Sequence, residues 1–389
     1  MALLLLAPAS CVSGSKPTAR PVPQPKPIPA PVPTAPAPIP AGGDPVVRIG
    51  LLVGVGSVTI GGGAPLAVTQ PDGSHLWMIP PGETWQVTAA GNGFTMASRG
   101  WTSSPLESVT LAPNDPGASV MVNGRPYRGL AVILRDATGL TVVNRLGMES
   151  YLPGVISAEM GRRDPGDREA LRAQAVVSRT YALRNLGRWK AQGFDLTGTV
   201  ADQVYSGSTG ETAEGAEVFK GAARPYLRSV ADQAGDGSVY CSISPRYRWR
   251  EEWTGDALRS ILQRSLPPVA GVRSEDVRQV TDLRVSRRTR SGRVDQLAIG
   301  LGGPEVKVDG PAIRQVLRLT SGEPLRSNAF TLVAAGAGQR VTHLTVDGMG
   351  AGHGVGFWQW GAVGRARAGQ RFQEIVEAYF PGTTLERRY

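Results

Sequence analysis

The residue types that could carry out acid–base chemistry or line a binding site are concentrated in two segments of the 389-residue chain. The first, residues 350–362 (GAGHGVGFWQWGA), sets His353, one of only three histidines, among glycines and places Gln359 between Trp358 and Trp360. Glycine beside a functional group indicates a close approach of backbone or ligand, or a positive φ. The segment therefore fits the lining of a site, and the alternative is a bulged turn around a buried imidazole. Each indole is suited either to lining that site or to core packing.

A carboxylate and two arginines in the second segment would be aligned by a helix. The Asp-Pro pair at 164–165 supplies a helix cap and a first helical residue, which predicts a helix over residues 165–188. Within it, Arg172 and Arg179 are seven residues apart, about two turns, so their side chains leave from the same face. Glu159 precedes the cap, where the positive helix end and the arginines would act on it. The alternative is a solvated charged face without chemistry.

The elements that must position these residues differ between the two halves of the chain. Residues 46–146 alternate short apolar runs with turn signals, which predicts a β-rich part with a hairpin turn at the Asn-Gly pair 123–124. An amphipathic helix is predicted within residues 371–385, ended by a Pro-Gly pair. We therefore expect an α+β fold in which residues 147–389 carry a central active-site helix and a C-terminal helix.

The amino-terminal residues indicate export. Residues 1–16 contain an apolar run that ends in small residues and Cys11, as an export or lipoprotein signal does. Residues 17–45 are dominated by proline and alanine, which predicts a stiff, polyproline-like linker. No other segment approaches the roughly 20 apolar residues of a transmembrane helix. We expect an exported protein of the cell envelope or periplasm, attached to the membrane only through the signal or a lipid on Cys11.

The formal net charge of +10 favours anionic polymers as partners, such as nucleic acid, lipid head groups or cell-wall carboxylates. An export signal makes nucleic acid the poorest of these, so none is expected. Beyond the signal, Cys241 is the only cysteine, and no histidines and cysteines have the spacing of a zinc site. We expect no disulfide, no metal and no cofactor.

Several segments, in this order, resemble the SpoIID/LytB family of bacterial peptidoglycan proteins. They are VNRLGMESYLPGVISAEM, EALRAQAVVSRTYAL, QVYSG, PYLRSV, and GHGVGFWQWGA with AGQRFQEIVEAYFPGTTL. The resemblance spans residues 46–386 and implies a β-rich SpoIID-like domain. It also implies lytic transglycosylase activity, in which glycan strands are cut without water at the MurNAc–GlcNAc bond and a 1,6-anhydro-MurNAc end is left.

The resemblance also implies residue roles. Glu159 matches the family's catalytic glutamate, and four residues match positions implicated in the family's site: Arg172, where the sporulation members carry lysine, Arg179, Tyr205 and Tyr226. Lysine and arginine differ as hydrogen-bond donors, so the family role carries over least directly to Arg172. We expect these four to bind substrate.

The implied reaction needs only one carboxylate. Ordinary glycoside hydrolysis uses two, whereas the sugar's own C6 hydroxyl replaces water in a lytic transglycosylase. Protonated Glu159 would donate to the leaving oxygen and then accept the C6 hydroxyl proton. Arg172 and Arg179 would bind acidic groups of MurNAc, while His353 and Gln359 would shape the substrate cleft.

Two further hypotheses come from different protein classes. Many relatives bind zinc near the QVY motif. In this chain, residues 201–227 join two family segments directly and lack the zinc ligands. We therefore expect no zinc site and a shortened wall of the substrate cleft. The shortening favours a non-catalytic enhancer that binds peptidoglycan and stimulates an N-acetylmuramoyl-L-alanine amidase, or a structural envelope module. No chemistry is assigned to residues 251–340.

Overall fold

The computed structural model describes residues 43–209, 222, 223, 232, 234, 236–289, 291–303, 305–337, 340–352 and 356–386. The described chain is a mixed α+β protein rich in strands, as the sequence predicted. It contains no helix of the length and apolarity needed to cross a bilayer.

Most of the first 100 described residues form strands, and in several of them buried and more exposed side chains alternate. In chain order these are β1 (Val46–Val55), β2 (Ser57–Gly62), β3 (Leu66–Thr69), β4 (His75–Ile79), β5 (Thr84–Ala90), β6 (Gly93–Ser98), β7 (Trp101–Thr102), β8 (Ser108–Pro113), β9 (Val120–Val122), β10 (Arg125–Tyr127), β11 (Leu130–Asp136) and β12 (Gly139–Gly147). The predicted hairpin turn is confirmed, because Asn123 and Gly124 both have positive φ between the paired ends of β9 and β10.

Two helices follow directly. They are α1 (Met148–Met160) and α2 (Arg168–Arg184), the latter preceded by a 3-10 turn over Pro165–Asp167. The predicted cap at Asp164 is confirmed as a capping box with Asp167, but the helix ends four residues earlier than expected. The strand β13 (Leu196–Thr197) then runs parallel to β1.

The strands make two larger sheets that share one hydrophobic core with helices. One sheet has the order β13-β1-β12-β11-β8-β3-β4, and the other has the order β10-β9-β2-β5-β6-β7. Ile49 of the first sheet, Ile60 of the second and Val176 of α2 belong to the same buried cluster. The first core is therefore built by the strands together with helices.

A second core is formed by residues that lie later in the chain. Its elements are β15 (Arg248–Thr254), α3 (Gly255–Ser265), α4 (Pro267–Ala270), β16 (Asp282–Arg288), β17 (Val294–Gly300), β18 (Glu305–Asp309), α5 (Ala312–Val316), β19 (Phe330–Ala337) and β20 (Arg340–Met349); the short β14 (Ala222–Ala223) precedes them. They form the sheets β15-β20-β19 and β16-β17-β18. Trp253, Leu297 and Leu344 are among the buried members of this cluster, so residues 251–340 have a core of their own.

The last elements return to the first core. These are α6 (Gln359–Arg367), α7 (Phe372–Tyr379) and β21 (Leu385–Glu386), which pairs with β14. Val363 and Ile375 are fully buried in the first cluster. The amphipathic C-terminal helix is thus confirmed as α7, and it ends just before the Pro-Gly pair at 381–382.

Candidate active site

Glu159 lies in the last turn of α1, immediately before Met160 and the cap at Gly161. The large buried residues of α1 are spaced three and four apart and face the core: Met148, Tyr151, Leu152, Val155, Ile156 and Met160. Glu159 itself is half-buried. The sequence placed it outside any helix, and this was wrong because Pro153 and Gly154, both poor helix residues, interrupt the pattern.

Gln359 and Glu159 meet across 200 positions of sequence. Gln359 is the first residue of α6, and its Nε2 donates a hydrogen bond to Oε2 of Glu159 at 2.9 Å. The amino-terminal end of α6 therefore lies within one side chain's length of the carboxylate. Helix amino termini carry partial positive charge, which suits an acidic neighbour.

The two residues that flank Gln359 in sequence are tryptophans, and one of them contacts an arginine. Trp358 and Trp360 are both half-buried and pack against the first core. The guanidinium of Arg163 lies 4.4 Å from the ring centroid of Trp360, and burial lowers the pKa of this arginine. Two turns before Glu159 on α1, burial raises the pKa of Tyr151 well above its usual value, and the charge of Glu159 adds to the effect.

Arg179 does not lie on an exposed helix face. Its side chain is 0% exposed, and its Nε and one terminal nitrogen donate to the two carboxylate oxygens of Glu149 at 2.9 and 2.8 Å. This corrects the expectation that Arg179 contacts substrate directly. A fully buried guanidinium requires a carboxylate partner within the fold, and Glu149 supplies one.

Arg172 is also held by a carboxylate of the fold. It forms an ion pair with Glu169 one turn earlier on α2, and both side chains are 24% exposed. The second oxygen of Glu169 accepts a hydrogen bond from the backbone nitrogen of Phe372 at 2.8 Å, at the start of α7. Arg172 and Arg179 lie on the same helix, as predicted, but they pair with different glutamates, Glu169 and Glu149.

Tyr205 is a core residue rather than a cleft residue. It is 6% exposed and donates a hydrogen bond to Oδ1 of Asn144 at 3.0 Å. Its ring contacts those of Tyr127 and Tyr151, with centroids 5.9 and 5.0 Å away. Because the hydroxyl and the ring are both used inside the protein, the structure corrects the expected substrate contact.

Two of the predicted site residues, Tyr226 and His353, lie outside the described residues. So does most of the 201–227 segment in which strands were predicted to be missing. In the part of the chain that the structure describes, no three histidine, cysteine or acidic side chains are grouped as metal ligands would be. The absence of zinc remains a prediction.

Sequence reasoning missed a buried polar cluster that holds α6. One oxygen of Asp232 accepts from the hydroxyl of Tyr379 at 2.8 Å, and the other accepts from the backbone nitrogen of Cys241 at 2.9 Å. The guanidinium of Arg365 on α6 lies 3.5 Å from the same carboxylate and 4.4 Å from the ring of Tyr240. A lone aspartate far from α6 in sequence gives no local signal of this contact.

Two family models match separate segments of the chain. The model of the family described as Stage II sporulation protein (SpoIID) matches residues 136–231, which include α1 and α2. A domain of unknown function (DUF8618) matches residues 239–356, which contain the second core.

Curated relatives agree with the first match. The chain is 25% identical over 292 residues to Stage II sporulation protein D of Bacillus subtilis, covering 62% of this chain and 75% of that protein. It is 27% identical over 300 residues to an uncharacterized protein of Brachyspira hyodysenteriae, covering 68% and 73%. A 41-residue stretch is 51% identical to the amidase enhancer of Bacillus subtilis, covering 10% and 6%. Residues 136–231, which contain Glu159, Arg172 and Arg179, are matched as a SpoIID domain, and these similarities support assigning the chain to the SpoIID/LytB family.

Proposed function

We propose that this protein is a lytic transglycosylase that cleaves the MurNAc–GlcNAc bond of peptidoglycan and leaves 1,6-anhydro-MurNAc ends. Family membership supports a role at the cell wall. The observation that carries the finer assignment is the hydrogen bond from Gln359 to Glu159, because it presents one oriented carboxylate at the meeting of α1 and α6. The role would place the protein at the cell envelope or outside the cell.

The reaction needs one proton donor that later becomes an acceptor. Protonated Glu159 gives its proton to the glycosidic oxygen as the bond from that oxygen to C1 of MurNAc breaks. The carboxylate then takes the proton of the C6 hydroxyl, whose oxygen forms the new bond to C1. Glu159 ends the cycle protonated, and no water is consumed.

The neighbours of Glu159 have positioning roles in this proposal. The amide of Gln359 binds Oε2 and leaves Oε1 to exchange the proton. At the other end of α1, about 15 Å away by helix geometry, the Arg179–Glu149 pair fixes the helix against α2. Arg179 thus acts through α1 rather than on the sugar. Arg172, which is only partly buried, keeps its proposed role at the substrate.

The second candidate function is that of an accessory protein that binds peptidoglycan and stimulates an amidase. The 51% identity to an amidase enhancer over a short stretch favours it, as does the full burial of Arg179, which keeps its guanidinium from direct contact with a glycan. In this case Glu159 and Gln359 would be a structural pair.

Product analysis separates the two functions. Purified protein is incubated with intact peptidoglycan and, in parallel, with glycan from which an amidase has removed the stem peptides, and the products are analysed by mass spectrometry. A transglycosylase releases fragments lighter by one water than hydrolysis products, whereas an accessory releases none. Lack of anhydro ends from both substrates, together with stimulation of an added amidase, would favour the accessory.

A further inference from the structure

Three tryptophans contact one another in the β-rich part of the molecule, on β4, β5 and β7. None of these strands leads directly into α1, which follows β12. The rings of Trp77 and Trp85 are stacked, with centroids 5.8 Å apart and an interplanar angle of 18°. Trp101 stands edge-on to both, with centroids 5.2 and 5.3 Å away. We call these three residues the tryptophan surface. No part of the proposed reaction uses it.

The sheets bring these indoles together at their margins. Trp77 lies on β4, the last strand of the seven-stranded sheet, and Trp101 lies on β7, the last strand of the six-stranded sheet. The turn before Trp101 has positive φ at both Arg99 and Gly100. A positive φ is unfavourable for arginine, so the tight turn that presents Trp101 is maintained by its surroundings.

Ion-pair and hydrogen-bond contacts hold the turn. One oxygen of Glu83 lies 3.2 Å from the guanidinium of Arg99, and the other accepts from Nε1 of Trp85 at 3.3 Å. Glu83 therefore links the indole of Trp85 to the turn at Arg99. Trp85 is 8% exposed and Trp101 is 47% exposed. Trp85 therefore packs in the core, while Trp101 presents part of its ring to solvent.

The size of the open surface limits what can bind it. Of its three indoles only Trp101 is classed as exposed, at 47%, while Trp77 is half-buried. A stable protein interface needs roughly 800 Å² per partner with a well-packed apolar centre. One exposed indole with a half-buried neighbour is far smaller than that. It matches the area of one or two sugar rings.

We propose that the tryptophan surface binds the glycan strand of peptidoglycan at a second place, apart from Glu159. The apolar C–H face of a pyranose ring packs on an indole, and the sugar hydroxyls remain in water at the rim. The Arg99 side chain, 79% exposed, adds a cation for the carboxylates of an acidic glycan. The choice of glycan rests on the proposed function. The presence of an exposed, fixed indole at Trp101 is independent of the proposed function.

The test measures binding separately from cleavage. Full-length protein carrying Glu159→Gln is co-sedimented with insoluble peptidoglycan, and soluble peptide-free glycan strands are used as competitor. Trp101→Ala should weaken the apparent affinity about fivefold or more, as truncation of an aromatic anchor does. Trp101→Tyr, which keeps a stacking ring, should restore most of it. Val333→Ala removes another exposed apolar side chain, 67% exposed on β19, and should change nothing.

Each remaining outcome has a defined meaning. Equal binding by Trp101→Ala and its parent, with both folded by circular dichroism, overturns the proposal. In a parallel assay, binding to phosphatidylglycerol vesicles is measured. If Trp101→Ala lowers only vesicle binding, the surface is assigned to lipid and the proposal is overturned. The proposal is also overturned if the parent protein binds no glycan. If Trp101→Ala weakens binding while the unmodified protein makes no anhydro ends, the surface stands and the proposed enzyme fails.

Discussion

The ion pair between Arg179 and Glu149 shows how one buried residue can be misread from its sequence position. Two glutamates, Glu149 and Glu159, lie near the two ends of α1, and either could face an arginine of α2. The structure gives Arg179 to Glu149 and gives Gln359 to Glu159. Desolvating a guanidinium is costly, so the pair stabilises the fold only while both partners are present.

Replacing Arg179 therefore tests its structural role. We expect Arg179→Ala to lower the free energy of unfolding by about 3–5 kcal/mol, because it breaks a buried ion pair by removing the guanidinium that binds both oxygens of Glu149. Urea denaturation followed by circular dichroism measures the change.

The matched control is Arg250→Ala, which breaks the pair with Asp347 between side chains that are 63% and 49% exposed. Surface pairs contribute little, so this variant should unfold like the parent. Equal stability of Arg179→Ala and Arg250→Ala would contradict the buried-pair account.

At the level of elements, α6 can deliver Gln359 to Glu159 only because it packs closely against its neighbours. A Cβ on Gly361 would overlap the hydroxyl of Tyr379 and come within 2.6 Å of Oδ2 of Asp232. Since Asp232 and Tyr379 are hydrogen-bonded to each other, neither can move away easily. Glycine at 361 therefore sets the distance between α6 and α7.

Adding one methyl group to this helix should displace it. Gly361→Ala is expected to cost about 1–3 kcal/mol of stability through overpacking. It should also reduce glycan cleavage more than unfolding explains, because Gln359 lies two residues away on the same helix.

Gly166→Ala serves as the control, since its Cβ would have no neighbour within 4 Å and its φ is not positive. That change should be neutral or stabilise by up to about 1 kcal/mol. Thermal melts and cleavage assays of the two variants give the comparison. A fully active Gly361→Ala protein would show that α6 is not positioned in this way.

The elements differ in how far their sequences predict them. The turn at 123–124, α2 and α7 carry local signals, namely an Asn-Gly pair, an Asp-Pro cap and an apolar period, and the structure confirms all three. By contrast, α1 contains Pro153 and Gly154, and α6 contains two glycines. Tertiary packing forms those two helices despite their composition, so local patterns could not reveal them.

At the scale of the whole molecule, the residues of the second core lie in sequence between two groups of residues that form the first core. The first core contains residues from β1 to α2 and again from α6 and α7, while the second is made of residues between them. The site residues Glu159 and Gln359 both lie on helices of the first core. Their meeting depends on a return of the chain over 200 positions, which local sequence patterns do not reveal; only the family resemblance assigned both residues to one site.

The linker boundary also differs from the one that composition suggests. Pro45 accepts a hydrogen bond from the backbone of Met148 at 2.8 Å, and the carboxylate of Asp44 accepts one from the backbone of Glu149 at 3.2 Å. Burial raises the pKa of Asp44. Residues 44 and 45 therefore stabilise the start of α1, and a fragment for experiments should begin at 43 rather than 46.

Buried acids with raised pKa values predict sensitivity to alkali. Burial, reinforced by Asp232, raises the pKa of Cys241 from 9.0 to about 12, and burial with Asp202 raises that of Tyr181 from 10.0 to about 12. The unfolded chain loses these protons from about pH 9 upward, while the folded chain keeps them. This contribution to stability is therefore complete below pH 9 and is lost progressively between pH 9 and 12.

Urea unfolding midpoints at pH 8, 9.5 and 10.5 test this, and they should fall steadily. Cys241→Ala removes the group that titrates first in the unfolded chain, so its midpoint should fall less between pH 8 and 9.5 than that of the parent. A midpoint that stays constant or rises over this range would contradict the assignment of these protons.

The central claim is that Glu159 is the acid and base of glycan cleavage. Glu149 and Glu169, the nearest glutamates in sequence, are each paired with an arginine, which leaves Glu159 as the carboxylate held by a neutral amide. The control is Glu377→Gln, an isosteric change at an exposed position of α7.

The decisive measurement is the rate at which Glu159→Gln forms 1,6-anhydro-MurNAc ends from peptide-free glycan, compared with the unmodified protein and Glu377→Gln. Glutamine keeps the shape of the side chain but cannot donate and recover the proton, so the rate should fall by about 10² to 10⁴ while glycan binding and stability are retained. Glu377→Gln should match the unmodified protein. Glycan cleavage by Glu159→Gln at the unmodified rate would contradict the account.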